Sequence, residues 1–458
     1  MEAPGGAPED VPGLAARAAA AALLSGVLDR GASLADQIAA PSGSSGGPRR
    51  GAAGGPLTDL DPADRARAQT LATETLRHLG RIDAVLGTFL TKLPAAPALN
   101  ALRLAVAETR LDGVPAHAAV DAAVRLTRKH ARARHLAGLV NAVGRRIGER
   151  GAELWEAAAE ADLPAWLADP IRDAYGEEAL TAIGAAHHAG PPPTDLTPRD
   201  PESAALWAER LGADLLPTGS LRLRARGQIS ALPGYATGDW WAQDAAAALP
   251  ARLLGPVAGL RVLDLCAAPG GKTLQLAAAG ARVTALDVSQ TRLARLSDNL
   301  ARTGLAAEVV AADALAWQPE APFDAILLDA PCSASGTIRR HPDLPRLRGA
   351  ADVAALTALQ SAMLARAWEW LAPGGRLVYC TCSLLPAEGE ERVSDFLAAT
   401  PDARPAPLPD LAGIESGGIE PGGIEPAWIT GGVLRTRPDF WADRGGMDGF
   451  FAAGLARG

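Results

Sequence analysis

A chain of 458 residues is longer than one hydrophobic core usually serves, so two or three domains are expected. Hydrophobic residues make up 48% of the chain and charged residues 21%, which excludes the disordered class and is ordinary for a folded protein. The formal net charge of −8 argues against a uniformly basic nucleic-acid binder.

Cysteine usage and hydropathy indicate a cytoplasmic protein. The four cysteines, at positions 266, 332, 380 and 382, form no CxxC pair and cannot build a disulfide framework in a chain this long. No uncharged apolar stretch of about 18 residues occurs, and the start of the chain, MEAPGGAPED, is acidic where a signal peptide is basic. We expect neither secretion nor a membrane partner, and we predict no metal site.

The first predicted domain is all α and spans residues 1–150. Its apolar residues recur at spacings of three and four, as in LAARAAAAALLSGVLDR and AAVDAAVRLTRKH. Asp61 and Asn100 are predicted helix starts, and Gly113 is a predicted helix end. Segment 41–56, PSGSSGGPRRGAAGGP, is typical of a flexible loop, and we place it between the first two helices.

This domain is the basic part of the chain. It contains 19 Arg and Lys against 14 Asp and Glu, a net charge of +5, so the remaining residues carry −13. A basic run near its end is the predicted nucleic-acid contact, although such a run can also be no more than a solvated helical face. The predicted contacts are Arg125, Arg128, Lys129, Arg132, Arg145 and Arg146.

Two further regions follow. Residues 151–245 are predicted to be linker helices and a small α+β region, since a helical stretch ends at three prolines and short alternating pieces such as LRLRARG come next. Residues 246–458 alternate apolar strands (RVLDL, RVTALDV, EVVAAD, AILLDAP, GRLVYCTC) with helical segments. This alternation predicts an α/β domain with a doubly wound, mostly parallel sheet. The repeated GIE units in GIESGGIEPGGIEP are interpreted as an inserted loop.

The first strand of this domain runs into a glycine-rich turn, LDLCAAPGGKT. A strand, a glycine-rich turn and a helix start together form the usual place for a nucleotide-like cofactor. The ending GGKT also imitates a P-loop, so a nucleotide hydrolase must be considered. However, Cys266 stands where the P-loop needs its first glycine.

Two acids follow the next strands. Asp287 closes the second strand about twenty residues past the turn, where a carboxylate can bind both hydroxyls of a ribose. Asp313 closes the third strand, where it can accept a hydrogen bond from an adenine amino group. A single acid after a strand would be a turn cap, but acids at both positions favour cofactor binding.

Two cysteines also follow strands on the same side of the sheet. DAPCSASG places Asp329 and Cys332 after the fourth strand, and YCTCSLLP places Cys382 after a later one. Cys266 and Cys380 lie in apolar runs and are interpreted as small buried hydrophobic residues.

These motifs resemble those of RNA cytosine-5 methyltransferases of the RsmB (Fmu/Sun) type, whose N-terminal domain is similar to the antitermination factor NusB. The resemblance is carried, in order, by LDLCAAPGGKT, FDAILLDAPCSASGTIRRHPD, LQSAMLARAWEWLAPGGRLVYCTCS and the terminal DGFF. Upstream, LPGY, WWAQDAAA, LVNAVGRR and VPAHAAVDAAV also match, so the resemblance covers nearly the whole chain. The chain departs from the family at TDLTPRD and at the GIE repeats, which leaves details of the RNA contact open.

The resemblance implies an S-adenosylmethionine-dependent enzyme that forms 5-methylcytosine in RNA. It assigns the nucleophile to Cys382, release of the product to Cys332, and contacts to the base or the reacting groups to Asp329 and Lys272. The cofactor contacts that it implies are Cys266, Ala267, Ala268, Pro269, Gly270, Gly271, Lys272, Asp287, Arg292, Asp313 and Asp329. Arg339, Arg340 and His341, directly after the catalytic loop, are predicted to contact RNA phosphates.

By the same resemblance the substrate is 16S ribosomal RNA, with an unstacked cytosine, and the protein is expected to act as a monomer. Transfer RNA is the alternative substrate, and a non-catalytic, antitermination-like RNA-binding protein is an alternative function. A DNA cytosine-5 methyltransferase would use the Pro-Cys cysteine and carry an ENV-type motif and a large target-recognition region. Neither the ENV-type motif nor the target-recognition region is found, so no DNA substrate is expected.

Overall fold

The structure is a computed structural model that describes residues 13–39, 55–158, 163–225, 227–407 and 428–458. Most of the predicted loop 41–56 and all of the GIE repeats lie outside these residues. The chain divides into two compact units. The first comprises Met1–Ala168 with His341–Leu347, and the second comprises Asp169–Arg340 with Arg348–Gly458.

The first unit is helical, as predicted. Its helices are α1 (Leu14–Arg30), α2 (Leu34–Ala39), α3 (Pro62–Arg77), α4 (Leu79–Gly87), α5 (Ala96–Arg110), α6 (Ala116–Lys129) and α7 (Ala137–Ala157), and α8 (Ala165–His188) starts in it. Helix α5 lies at the centre because its alanines, leucines and valines are buried nearly all round, against α1, α3, α6 and α7. Such burial removes apolar surface worth about 1.5–3 kcal/mol for each large side chain.

The helix boundaries follow local chemistry. The Asp61 carboxylate accepts a hydrogen bond from the Asp64 amide at 2.8 Å, which confirms Asp61 as a helix start. Gly113, with φ +68°, ends the turn after α5 as predicted. The prediction for Asn100 is wrong. This residue lies inside α5, fully buried, and donates to Ser25, because a proline in the first turn of α5 starts the helix earlier.

A short segment from late in the chain also belongs to the first unit. Residues 341–347, which include helix α13 (Leu344–Leu347), join it. The Asp343 carboxylate accepts from the Leu34 amide at 2.7 Å, and the Trp166 indole donates to the Pro345 carbonyl at 3.2 Å. The first unit is therefore built from two separate stretches of the sequence.

The second unit begins with the end of α8, which is broken at Gly176, and a small antiparallel sheet. That sheet has the order β2 (Ala213–Leu215), β3 (Leu221–Leu223), β1 (Asp195–Pro198) and β4 (Trp240–Ala242), and α9 (Ala204–Leu211) packs against β2 and β3. This arrangement confirms the small α+β region between the helical part and the larger sheet.

The larger sheet follows α10 (Leu249–Arg252). Its strands are β5 (Arg261–Leu265), β6 (Arg282–Asp287), β7 (Glu308–Ala311), β8 (Phe323–Asp329), β9 (Leu371–Thr381), β10 (Ala403–Pro405), β11 (Ile429–Thr430), β12 (Val433–Arg435) and β13 (Phe451–Arg457). The described strands run in the order β11-β12-β13-β9-β8-β5-β6-β7, and β10 pairs with β13. Strands β5 to β9 are mutually parallel, whereas β13 runs antiparallel to β9.

Helices cover both faces of this sheet, which confirms the predicted doubly wound α/β architecture. They are α11 (Gly271–Ala278), α12 (Gln290–Thr303), α14 (Ala350–Glu369) and α15 (Glu390–Ala399). Successive residues of the central strands alternate between two buried clusters, so that Leu377 and Tyr379 face one cluster and Val378 and Cys380 face the other. Because five strands are parallel, their carboxyl ends meet at one edge, where the sequence places the functional residues.

Candidate active site

The turn after β5 is shaped by two residues in the left-handed region. Cys266 has φ +60° and Gly270 has φ +110°, and Gly270 caps the start of α11. A Cβ atom on Gly270 would lie 2.9 Å from the Leu296 side chain, so the turn needs glycine both for its conformation and for its packing. The Ala268 amide donates to the Asp287 carboxylate at 3.2 Å, and Arg292 donates to the Ala268 carbonyl. The strand-end acid and Arg292 thus hold the turn in place.

Asp287 and Arg292, two of the predicted cofactor residues, contact this turn. Asp287 is buried at the end of β6 and also accepts from the Ser289 amide at 2.9 Å. Asp313 is exposed two residues beyond the end of β7. The Arg292 guanidinium lies 3.5 Å from the Asp287 carboxylate. Two carboxylates at successive strand ends beside a helix start can accept hydrogen bonds from ribose hydroxyls and from an adenine amino group.

A buried acid that the sequence reasoning missed lies beneath the turn. Asp264, on β5, is fully buried and accepts from the Thr273 hydroxyl at 2.5 Å, while its second oxygen has no hydrogen-bond partner among the described residues. Burial raises the pKa of Asp264 to about 7. The signal in the sequence was a single acid inside the apolar strand RVLDL, where burial of a charged side chain is costly unless it is paired or hydrogen-bonded.

Lys272 and Asp329 form a part-buried ion pair. The Lys272 ammonium lies 2.8 Å from the Asp329 carboxylate and 5.0 Å from the centre of the Phe450 ring. Burial alone would lower the pKa of Lys272, but the Asp329 carboxylate raises it above its ordinary value, so the lysine is a fixed cation. Lys272 is thus hydrogen-bonded to Asp329, and Thr273 to Asp264. Because a P-loop needs these two side chains for phosphate and magnesium, the contacts disfavour the P-loop interpretation.

The two predicted functional cysteines lie in contact. The sulfur of Cys332 is 3.4 Å from the sulfur of Cys382, although the residues are 50 positions apart in the sequence. Both side chains are partly exposed. The hydrogen bond with Cys382, together with burial, raises the pKa of Cys332 well above its ordinary value. Cys332 is therefore a neutral thiol beside Cys382.

The other two cysteines differ from this pair. Cys380 is fully buried and packs in the core, as predicted, and burial raises the pKa of its thiol; its sulfur lies 3.5 Å from the Asp329 carboxylate. Cys266 is only partly buried in the turn, and burial raises its pKa too. Neither thiol is poised to ionise.

Glu388 is a second buried acid that the sequence reasoning missed. It is fully buried just past β9, and its carboxylate accepts hydrogen bonds from Ser333 and Ser383, the residues that directly follow the two predicted functional cysteines. In the sequence it stands in PAEGEE, which is typical of a solvated acidic turn.

The structure gives Arg339 and Arg340 a role other than the predicted phosphate contact. Arg339 is 2% exposed and pairs with Asp244 at 2.7 Å and with Asp448 at 2.9 Å. Arg340 pairs with the same two carboxylates. Because both guanidinium groups neutralise buried acids, they are engaged inside the second unit. His341 is exposed and belongs to the first unit.

The predicted basic run lies on the first unit. Arg125 is half-buried and pairs with Asp121 at 2.7 Å. The other members are exposed on α6, on α7 or between these two helices: Arg128, Lys129, Arg132, Arg145 and Arg146.

Comparison with known proteins adds to this geometry. The family model described as 16S rRNA methyltransferase RsmB/F matches residues 251–456, and the NusB family model matches residues 14–149. A curated relative from Pseudomonas putida, named ribosomal RNA small subunit methyltransferase B, is 38% identical over 97% of this chain and 98% of its own length. The chain belongs to the RsmB/F family of 16S rRNA methyltransferases. The predicted family resemblance is thereby confirmed.

Other similarities agree with membership of the RsmB/F family. A relative of the same name from Xanthomonas campestris is 39% identical over 86% of this chain and 90% of its own length. The solved structure of PH0851 is 22% identical and superposes with a TM-score of 0.69, covering 97% of this chain and 99% of its own, which supports the fold. The cofactor of this RsmB/F family member is S-adenosylmethionine, and the carboxylates around the turn fit it. Among the described residues, no helix is both long and apolar enough to cross a membrane.

Proposed function

We propose that this RNA methyltransferase forms 5-methylcytosine in 16S ribosomal RNA, with Cys382 as the nucleophile. The observation that carries the proposal is the contact between the Cys332 and Cys382 sulfurs at 3.4 Å, next to the ion pair of Lys272 and Asp329. A methyltransferase that acts on an exocyclic nitrogen or on a hydroxyl has no use for two adjacent thiols at the reaction edge.

Carbon 5 of cytosine is a poor nucleophile, and a thiolate can overcome this. The Cys382 sulfur adds to carbon 6, which forms an S–C bond and moves the ring electrons toward carbon 5. Asp329 holds N3 and the exocyclic amine, and once it is protonated, or shares a proton with N3, it supplies that proton as charge develops on the ring. Bound S-adenosylmethionine would supply carbon 5 with a methyl group from its sulfonium, and S-adenosylhomocysteine would be the leaving group.

Cys332 is assigned to product release. After methyl transfer the proton on carbon 5 must leave, and the S–C bond to Cys382 must break. As the S–C bond breaks, the neutral Cys332 thiol donates its proton to the departing Cys382 sulfur, while solvent water accepts the proton from carbon 5. The target base must be unstacked to reach Cys382, so a loop or an opened segment of RNA is the expected substrate.

Several side chains would hold the cofactor. Asp287 would bind the ribose hydroxyls and Asp313 the adenine amino group, as their places at the strand ends suggest. The turn from Cys266 to Gly271 would contact the remainder, with Lys272 between cofactor and base. Arg292 would act mainly through Asp287 and the turn, since it already donates to Ala268.

The domain organisation follows from the same proposal. Residues 1–150 would form the RNA-binding domain, 151–245 the linking region and 246–458 the catalytic domain. The exposed basic residues of α6 and α7 would contact RNA phosphates, which adds sequence-independent affinity. We propose that the enzyme acts in the cytoplasm as a monomer.

Release of tritium tests the proposal directly. With 16S ribosomal RNA that carries tritium on carbon 5 of cytosine, the protein and S-adenosylmethionine should release tritium to water, and Cys382→Ala should abolish the release. Transfer RNA labelled in the same way is the comparison substrate. Bisulfite sequencing of total RNA from cells with and without the gene then locates the modified cytosine. Methyl transfer without tritium release would exclude carbon 5 as the site.

A further inference from the structure

Glu388 occupies an unusual place for a carboxylate. It is fully buried, and its two oxygens accept hydrogen bonds from neutral donors: the Ser333 amide at 2.8 Å, the Ser333 hydroxyl, the Ser383 hydroxyl at 2.6 Å and the Gln360 amide group at 3.1 Å. A buried carboxylate with neutral partners is costly unless each lone pair is satisfied, and four donors satisfy this one.

These donors connect two loops that are distant in sequence. Ser333 directly follows Cys332, and Ser383 directly follows Cys382. The Glu388 carboxylate therefore accepts a hydrogen bond from the residue next to each thiol. Ser335 reinforces the connection, since its hydroxyl lies 3.1 Å from that of Ser383 and accepts from the Leu384 amide.

The backbone of Glu388 fixes its own position. Its carbonyl accepts from the Tyr379 hydroxyl at 2.9 Å and from the Thr381 hydroxyl at 3.2 Å, and both residues lie on β9. The carboxylate is therefore anchored to the strand that ends at Cys382, while it reaches the loop that carries Cys332. Such a rigid support is what holds reacting groups at a fixed separation.

We propose that Glu388 is a positioning residue that clamps the two cysteine-bearing loops together and thereby sets the reactivity of the Cys332 thiol. The inference rests on the proposed roles of the two thiols. The hydrogen bond with Cys382, burial and the charge of Cys382 raise the pKa of Cys332, and the charge of the nearby Glu388 raises it further. Cys332 in turn adds to the raised pKa of the Tyr379 hydroxyl, which burial causes in the first place.

The test compares Glu388→Gln with Glu391→Gln, a matched control at an exposed carboxylate on α15. Alkylation of each cysteine by iodoacetamide is followed by peptide mass spectrometry from pH 6 to 10 in the protein without RNA. We expect Cys332 in Glu388→Gln to react at least about threefold faster at pH 8 than in the control, since a tenfold change follows a shift of one pKa unit. This readout requires no activity.

Kinetics provide the second readout. In tritium release with 16S ribosomal RNA, Glu388→Gln should lower kcat at least about tenfold with KM for RNA within about twofold, because a small misplacement of reacting groups can cost about a hundredfold. If Glu388→Gln does not fold, as judged by thermal melting, Ser383→Ala takes its place and should give the same separation of kcat from KM.

Unchanged Cys332 alkylation at every pH in Glu388→Gln would overturn the proposal, whatever happens to kcat, since a purely structural residue also lowers activity. For Ser383→Ala, an unchanged kcat would overturn it. If the unmodified enzyme released no tritium while Glu388→Gln still accelerated Cys332 alkylation, the proposed function would fail and the clamp would stand.

Discussion

Replacement of Arg339 by methionine tests whether this residue supports the fold rather than RNA binding. Methionine keeps much of the side-chain volume but removes the cation that Asp244 and Asp448 share, and those two carboxylates are 8% and 3% exposed. Arg340 alone would then face two buried acids. Removal of one partner from a buried ion pair costs about 3–5 kcal/mol, so we expect a loss of that size in the free energy of unfolding.

Urea unfolding followed by tryptophan fluorescence measures this loss. Arg295→Met, at an exposed arginine on α12, is the matched control and should change the free energy of unfolding by less than about 0.5 kcal/mol. RNA affinity is measured in parallel at a temperature where both variants are folded. If Arg339→Met were as stable as the control but bound RNA more weakly, Arg339 would contact phosphate and would have no structural role.

Three further predictions concern the site. Cys382→Ala should abolish methylation, whereas Cys332→Ala should accumulate a covalent enzyme–RNA adduct on denaturing gels; accumulation with Cys382→Ala instead would reverse the two roles. Asp313→Ala should weaken S-adenosylmethionine binding about tenfold by calorimetry, as befits one lost hydrogen bond of about 1.5 kcal/mol, while Asp298→Ala should not. The raised pKa of Asp264, about 7, means that stability is lost as pH rises from about 4 to 7. Asp264→Asn should therefore gain stability relative to the unmodified protein by on the order of 4 kcal/mol over this range, and an unchanged difference would contradict the pKa of Asp264.

Periodicity was enough to predict the class of fold. The three- and four-residue spacing identified the helices of the first unit, and apolar runs alternating with helices identified the parallel strands β5 to β9. The antiparallel strands at the other edge, β10 to β13, were not predicted. They are short, except for β13, and their partners are set by the tertiary structure rather than by a local pattern.

The site was only partly predictable, for a physical reason. Residues that end strands could be placed, because parallel strands bring their carboxyl ends to one edge. The hydrogen-bond and ion-pair partners of the site residues could not be predicted. Arg339 and Arg340 stand in a basic triplet that is typical of a surface, yet Asp244 and Asp448 lie 95 positions before and 109 positions after Arg339. The sequence around Glu388 is typical of a solvated acid, whereas in the structure its carboxylate accepts hydrogen bonds from the Ser333 and Ser383 hydroxyls.

The inclusion of residues 341–347 in the first unit limits how this protein can be divided. The chain crosses between the units at three places, after Ala168, after Arg340 and after Leu347. A single cut near residue 168 would remove two hydrogen bonds, the one from the Leu34 amide to Asp343 and the one from the Trp166 indole to Pro345. Recombination that exchanges the helical part between relatives must therefore bring a compatible seven-residue segment with it, although that segment is encoded within the gene region for the catalytic part.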